Sequence, residues 1–287
     1  TFLFNRDYMD YHSNRFNDCS YLIYRKGKLE AILPGNISDK TFYSHQGLTY
    51  GGLVSCNKIG TSEIVEVFDL LNKELRNIGI NEIIYKPVPS IYHQIPAQED
   101  IYALFLNKAA KIGCNLSSTI LQNSKLRFIE SRKSGIRKSL REGIQITESN
   151  DFASFWEILE CNLVSKFNKK PVHSLSEIEL LHNRFPENIK LFVGEQDGSV
   201  VAGTLLYFMK NVIHVQYISA SNLGKDCGAI DLLFDHLINK EFQHIPIFDF
   251  GQSTEQMGNY LNENLIFQKE GFGGRGSVYE IYKYILK

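Results

Sequence analysis

Apolar positions in this chain recur in two rhythms, and the order of those rhythms predicts its elements. Residues 21–24 and 29–33 are short apolar runs around Arg25-Lys26-Gly27-Lys28, a β-hairpin signal with glycine in the turn, closed by Pro34. Residues 42–54 form a further strand region rich in β-formers, loosened at its end by Gly51-Gly52. The spacing then changes to three and four. Ile64, Val65, Phe68, Leu71, Leu75 and Ile78 share one face of a helix that Ser62 can cap and Gly79 ends. Residues 82–86 read as a short strand before Pro87.

The C-terminal half repeats this order. Residues 191–194 and 200–208 flank Gln196-Asp197-Gly198, where Asp-Gly favours a primed hairpin turn. Residues 212–219 are the next strand, 221–227 a glycine-containing loop, 228–240 a helix with Ile230, Leu233, Leu237 and Ile238 on one face, and 245–250 the following strand. Offsets between the halves are nearly constant: 171 from Gly27 to Gly198, 167 from Tyr50 to Tyr217, and 164 from Ile84 to Phe248. A duplicated unit accounts for that series. Between the halves, 125–143 reads as a basic helix, followed by helices over 151–166 and 174–184. The chain is expected to end with paired strands, 265–268 and 277–286, around the glycine-rich turn 271–276. The expected fold class is therefore α/β, with mixed sheets flanked by helices in two domains, 1–124 and 125–287.

Composition narrows the classes. With 287 residues, 43% hydrophobic and 22% charged, the chain matches ordinary globular proteins and not disordered, collagen-like or coiled-coil ones. Thirty-one Lys and Arg against 32 Asp and Glu leave a net charge of -1, so no global field recruits polyanions and DNA is not an expected partner. The longest charge-free stretches are polar and fall short of the roughly 18 apolar residues of a membrane span, so a soluble protein is expected. Five scattered cysteines without a C-x-x-C pair argue against disulfides and structural zinc, and fit a cytoplasmic location. No basic segment followed by an apolar one opens the chain, so export is not expected.

Hairpin, strand, glycine-containing turn, helix, strand is the order of the GNAT superfamily of N-acyltransferases, and the chain resembles two such units in tandem. Local strings add to this: Ser44-His45-Gln46-Gly47-Leu48-Thr49-Tyr50-Gly51-Gly52, Phe248-Asp249-Phe250-Gly251, and Lys269-Glu270-Gly271-Phe272-Gly273-Gly274-Arg275. They look like double-GNAT proteins of bacterial envelope and polysaccharide loci, which are similar to FemAB-type aminoacyltransferases of peptidoglycan bridges. The resemblance implies acyl transfer, most simply from acetyl-CoA or another acyl-CoA, to an amine on a small-molecule or glycan-precursor acceptor. Aminoacyl-tRNA as donor is the alternative, and a non-catalytic binding protein with a degenerate donor loop is another.

In such a fold the donor lies beside a strand-to-helix turn, where unpaired helical N–H groups meet a pyrophosphate. The candidates are Ser219, Ala220, Gly224, Lys225, Gly228 and Ala229, although Ile230 stands where the superfamily pattern has a small residue. Amine acylation also needs a base. Asp249, alternating with Phe248 and Phe250, points to the face opposite the two aromatics, and Glu255 follows within one loop. Asp249 can equally cap its loop. His45 is a further candidate base, or a packed structural histidine. Tyr50, Lys269 and Arg275 are candidate acceptor contacts, with a core tyrosine and surface ion pairs as the plainer readings. Lys133, Arg137, Lys138 and Arg141 would present a cationic stripe for a phosphorylated acceptor or a tRNA, or would only solvate a linker helix. His173, His182, His214, His236 and His244 show no metal-ligand spacing, so no metal site is expected.

Overall fold

The computed structural model describes residues 1–286, apart from the side chain of Phe167. Along the chain run β1 (Tyr21–Arg25), β2 (Lys28–Leu33), β3 (Thr41–Tyr43), α1 (Thr61–Asn77), β4 (Glu82–Tyr85), α2 (Glu99–Leu106), β5 (Ala110–Leu121), α3 (Glu130–Arg141), β6 (Gln145–Ser149) and α4 (Phe152–Phe167). Then follow α5 (Leu175–Arg184), β7 (Ile189–Gln196), β8 (Ser199–Phe208), β9 (Val212–Ala220), α6 (Asn222–Cys227), α7 (Ala229–His236), β10 (Ile247–Gln252), α8 (Glu263–Gly271) and β11 (Arg275–Ile285). Two compact units result. One comprises Thr1–Phe2, Ser117–Ser253 and Asn262–Gly276; the other comprises Leu3–Leu116, Thr254–Leu261 and Ser277–Lys287. They are interleaved in sequence, where the pattern of the chain suggests a single cut between 124 and 125.

The unit that begins at Leu3 forms its hairpin as expected, with Lys26 (φ 49°) and Gly27 (φ 76°) in a primed turn between β1 and β2. Residues 42–54 are not one strand. The ladder stops after Tyr43, the backbone turns left-handed at His45 (φ 64°), and strand structure resumes only at Val54–Ser55. Tyr50 therefore lies in a loop and is not equivalent to Tyr217 in β9. The correspondence survives one element earlier: β3 pairs parallel with β4, Thr41 opposite Glu82, through the helix α1 that joins them. Helix α1 starts one residue before Ser62 and is capped by a reciprocal contact from Glu63 to the Gly60 N–H (3.0 Å). Its Ile64, Phe68, Leu71 and Leu75 pack on Phe42, Ile83 and Tyr85, whereas Ile78 is exposed.

In the other unit the sheet order is β5-β10-β9-β8-β7-β6. Asp197 (φ 50°) and Gly198 (φ 77°) make the β7–β8 turn, and Ser174 with Glu177 caps α5. One face of this sheet carries Phe192, Leu206, Ile213, Val215, Phe248 and Phe250, covered by Leu233, Phe234 and Leu237 from the segment after β9 and by Phe272. Three expectations change here. Residues 221–227 form the short helix α6, capped by Ser221 Oγ on the Gly224 N–H (3.1 Å), and the following helix begins after a break at Gly228. The basic helix begins only at Glu130. Residues 263–271 form α8, not a strand, because Asn262 caps them through the Leu265 N–H (3.1 Å).

The two glycines of this segment serve packing. A Cβ on Gly224 would lie 2.1 Å from the Val201 carbonyl oxygen, and one on Gly228 would lie 2.8 Å from the Gly135 backbone. Gly224→Ala is therefore expected to destabilise the protein by roughly 3 kcal/mol, the upper end of ordinary overpacking costs. Lys225→Ala, at an exposed position, should stay within about 0.5 kcal/mol. Urea unfolding of the two variants checks this; equal midpoints would remove the packing role.

Candidate functional site

The parallel pair β9–β10 is short for its strands. The register holds for Val212 opposite Ile247, Ile213 opposite Phe248 and His214 opposite Asp249, yet β9 runs on to Ala220 and β10 to Gln252. On its other side β9 stays laddered to β8, with one irregularity: Tyr217 faces Leu205 and Val215 faces Leu206, so Gln216 is an extra residue. Such a bulge bends its strand and increases the local twist. The ladder between the two strands therefore ends at His214 and Asp249, and Gly251 follows close to the Val215 carbonyl without pairing in register.

A buried polar network sits where this ladder ends. Asp249 is fully buried, and its Oδ1 accepts from Ser117 Oγ (2.5 Å), the Gly251 N–H (3.2 Å) and Thr119 Oγ1 (3.4 Å). Its Oδ2 lies 2.8 Å from His214 Nδ1. The His214 side chain keeps 11% of its surface exposed while that of Asp249 keeps none, so the imidazole is the dyad's outlet to solvent. A carboxylate on Nδ1 fixes the proton there and leaves Nε2 as the basic nitrogen. Strand alternation sets the arrangement: His214, Asp249, Ser117 and Thr119 share one sheet face, and Ile213, Val215, Phe248 and Phe250 occupy the other.

Lys269, on α8, is 5% exposed and donates to the carbonyls of Gly251 and Gln252, both at 2.8 Å. It thereby takes up the backbone acceptors that β10 presents beyond its ladder to β9. Burial lowers its pKa to about 8, against the opposing charge of Asp249.

The residues singled out from sequence are distributed unevenly. Asp249 and Lys269 come together where the β9–β10 ladder ends. Glu255 is exposed and belongs to the other unit, on a two-residue strand opposite Tyr260. His45 and Tyr50 also belong to that unit. Burial pushes His45 down to about 4, which makes it a weak base at neutral pH, and Tyr50 packs among Phe4, Tyr92 and Tyr279. Arg275 is exposed and donates to the Gly274 carbonyl (2.6 Å). The expected phosphate loop is internally bonded: Asn162 reaches Ser219 Oγ and the Ala220 carbonyl, both at 2.8 Å, and accepts from Lys225 Nζ (2.6 Å). Gly224 and Gly228 are pressed against protein backbone, and Ala229 is fully buried. Sequence reasoning passed over His214, Ser117 and Thr119. Their signal was present only for His214, a polar residue between Ile213 and Val215 in a strand parallel to that of Asp249.

No family model and no curated protein matches the sequence. Solved structures do match. FemX superposes with a TM-score of 0.73 at 11% identity, over 99% of this chain and 92% of that one. The C-terminal domain of a putative lysylphosphatidylglycerol synthetase from Agrobacterium fabrum gives 0.63 at 9% identity, over 98% and 91%. A tandem GNAT protein from the clavulanic acid biosynthesis pathway gives 0.50 at 10% identity, over 96% and 86%. The chain has the tandem GNAT, FemAB-like fold. Among the described residues there is no cluster of three or more His, Cys, Asp or Glu arranged to hold a metal, and no helix long and apolar enough to cross a membrane.

The position of Lys269 has a pH signature. Its folded pKa of about 8 lies below the unfolded value of 10.5, so the unfolded state binds more protons between those pH values. The cost of the buried ammonium is constant below pH 8 and is relieved as pH rises toward 10.5. Wild-type stability measured relative to Lys269→Met should thus increase by up to roughly 3 kcal/mol from pH 7.5 to pH 10 in urea unfolding. A difference that stays flat over this range would show that the ammonium is not buried at a cost.

Proposed function

We propose that this protein is a transferase that moves an acyl group to an amine, with its chemistry in a cleft where β9 and β10 cease to pair. The observation that carries this reading is the conjunction of a parallel ladder that stops after three residue pairs, the buried Asp249–His214 dyad at its end, and the buried Lys269 ammonium on the carbonyls just beyond it. In the reaction the acceptor nitrogen attacks the donor's acyl carbon, and the bond from that carbon to the leaving sulfur or oxygen breaks. His214 Nε2 takes the proton from the nitrogen and returns it to the leaving group, while Asp249 holds the imidazole in the required tautomer. Lys269 has a third ammonium hydrogen beyond its two carbonyl contacts, and this stabilises the negative charge that grows on the acyl oxygen.

Two donors are compatible with the cleft, and one observation separates them. An acyl-CoA needs an open backbone loop for its pyrophosphate, and the segment from Ser219 to Ala229 spends its glycines on packing and its Ser221 cap on its own N–H. That favours the aminoacyl ester of a tRNA, a donor without this requirement. The exposed Lys133, Lys138 and Arg141 of α3 supply cationic surface on the same unit. The acceptor we infer is an amine on a cell-envelope or polysaccharide precursor, in keeping with FemX and the putative lysylphosphatidylglycerol synthetase among the similar structures.

The donor test is heat stabilisation with acetyl-CoA and with charged tRNA side by side; a bound ligand at 100 times its Kd stabilises by about 2.7 kcal/mol. With a donor in hand, His214→Gln is expected to slow transfer by about 10²–10⁴-fold while donor stabilisation persists, and Asp249→Asn should distort the pH profile of the same step. Near-wild-type turnover of His214→Gln would remove His214 as the base.

A further inference from the structure

The small sheet of the unit that begins at Leu3 is apolar on both faces, and only one of them is covered. β1 and β2 pair antiparallel, and Val54–Ser55 extends β2 on its other side, so that Ile32 lies opposite both Leu22 and Val54. On the inner face Ala31 and Leu33 are buried, and Leu33, Tyr21 and Ile23 join the core on which α1 packs. An antiparallel sheet covered on one side ordinarily alternates, with polar residues toward water. Here strand alternation carries Leu22, Tyr24, Ile32 and Val54 to the outer face instead. Leu29 joins them opposite Tyr24, across a bulge at Glu30. Leu22 is 61% exposed, Tyr24 59%, Leu29 50% and Val54 39%. Residues 21–24 thus have the composition of a strand buried on both sides, while the chain itself covers one.

Single apolar residues on a surface are ordinary, but neighbours held together on a sheet make a patch that calls for a partner. Cations surround this one. The β1–β2 turn is Arg25-Lys26-Gly27-Lys28, and Lys58 follows Val54 by four residues. Lys26, Lys28 and Lys58 are exposed and join no ion pair among the described residues, whereas Arg25 is held by Glu63 at 2.7 Å. Glu30 is the only acidic residue within 21–33 and 54–58. The whole chain has a net charge of -1, so the excess of cations is local to this face. A second copy of the same face would present the same excess. An anionic bilayer supplies both complements at once, an apolar layer for the leucines and phosphates for the lysines, with the boundary between them suited to a tyrosine ring.

We propose that this face docks on an anionic lipid bilayer, with Leu22, Tyr24, Leu29 and Val54 entering the headgroup boundary and Lys26, Lys28 and Lys58 lying against lipid phosphates. The docking is peripheral, since only side chains enter and the hydrogen bonds between β1 and β2 stay intact. It uses none of the residues of the acyl-transfer reading, and its readout is binding, so either can fail without the other.

Flotation of the full chain with phosphatidylcholine vesicles, with and without 20% phosphatidylglycerol, tests the proposal. Binding to the anionic vesicles is expected to be at least about tenfold tighter than to phosphatidylcholine alone, and to weaken as salt is raised. Leu22→Gln combined with Leu29→Gln should weaken it about tenfold or more by removing side chains that enter the boundary. Lys26→Asn combined with Lys28→Gln should do the same by removing two charges, with asparagine tolerating the left-handed backbone at Lys26 (φ 49°). Leu70→Gln, at an exposed position of α1 outside this face, and His214→Gln should both bind as the wild type does. The proposal is overturned by absence of binding to the anionic vesicles, by equal binding to both kinds, or by a loss in Leu70→Gln as large as in the face variants. Unchanged binding of both double variants, shown by circular dichroism to be folded, also overturns it. So does a dimer in sedimentation velocity that Leu22→Gln with Leu29→Gln dissolves, which would assign the face to a second copy.

Discussion

The three-residue ladder between β9 and β10 is the constraint on which the rest of this chain's chemistry depends. A parallel pair that continued past His214 and Asp249 would consume the backbone groups of both strands. Two irregularities prevent this. The extra residue at Gln216 turns β9 away, and the register of β10 against β5 shifts between Asp249 and Gln252. Each strand stays laddered to its outer neighbour while its inner edge is released. Lys269 then satisfies the carbonyls of Gly251 and Gln252 that the ladder leaves unpaired.

The dyad is affordable because the sheet separates its two faces. On one, Phe234, Phe248, Phe250 and Phe272 pack ring against ring at 5.0–6.0 Å and exclude water from the back of the strands. Each fully buried aromatic of this kind contributes roughly 1.5–3 kcal/mol. On the other, Asp249 is desolvated completely, a cost that would force it to give up its charge if its oxygens were unpartnered. Ser117, Thr119, the Gly251 N–H and His214 together supply those partners. Removing the carboxylate would leave several donors unsatisfied at once, so this network is also a structural element of the unit.

The two units illustrate opposite uses of one plan. In one, a parallel strand pair joined through helices stops pairing beside a buried Asp–His dyad. In the other, the corresponding pair β3–β4 stops at Tyr43, and the following loop folds inward, so that Ser44 Oγ caps the Lys86 N–H at 2.7 Å and His45 is buried beside His12. The first arrangement leaves backbone groups to be satisfied by a side chain, as the carbonyls of Gly251 and Gln252 are by Lys269. The second buries its polar atoms in a compact loop.

Local rules were sufficient for much of this. Both hairpins, with their left-handed turn residues Lys26-Gly27 and Asp197-Gly198, and the helix face of Ile64, Phe68, Leu71 and Leu75, follow from turn chemistry and periodicity acting over a few residues. The alternation around Asp249 likewise predicted which way its carboxylate points. The partners of that carboxylate were not legible, because Ser117 and Thr119 are 132 and 130 residues away and are aligned with it by strand register alone. Nor was the fate of the glycines. A glycine before a helix reads the same whether its missing side chain admits a phosphate or, as at Gly224 and Gly228, another stretch of backbone. Sequence by itself determined the elements and their order, since these depend on contacts between near neighbours. Only the tertiary structure decided where two parallel strands cease to pair and which buried groups meet there, because both are set by strand register between residues distant in the chain, 35 positions for His214 and Asp249 and 132 for Ser117 and Asp249.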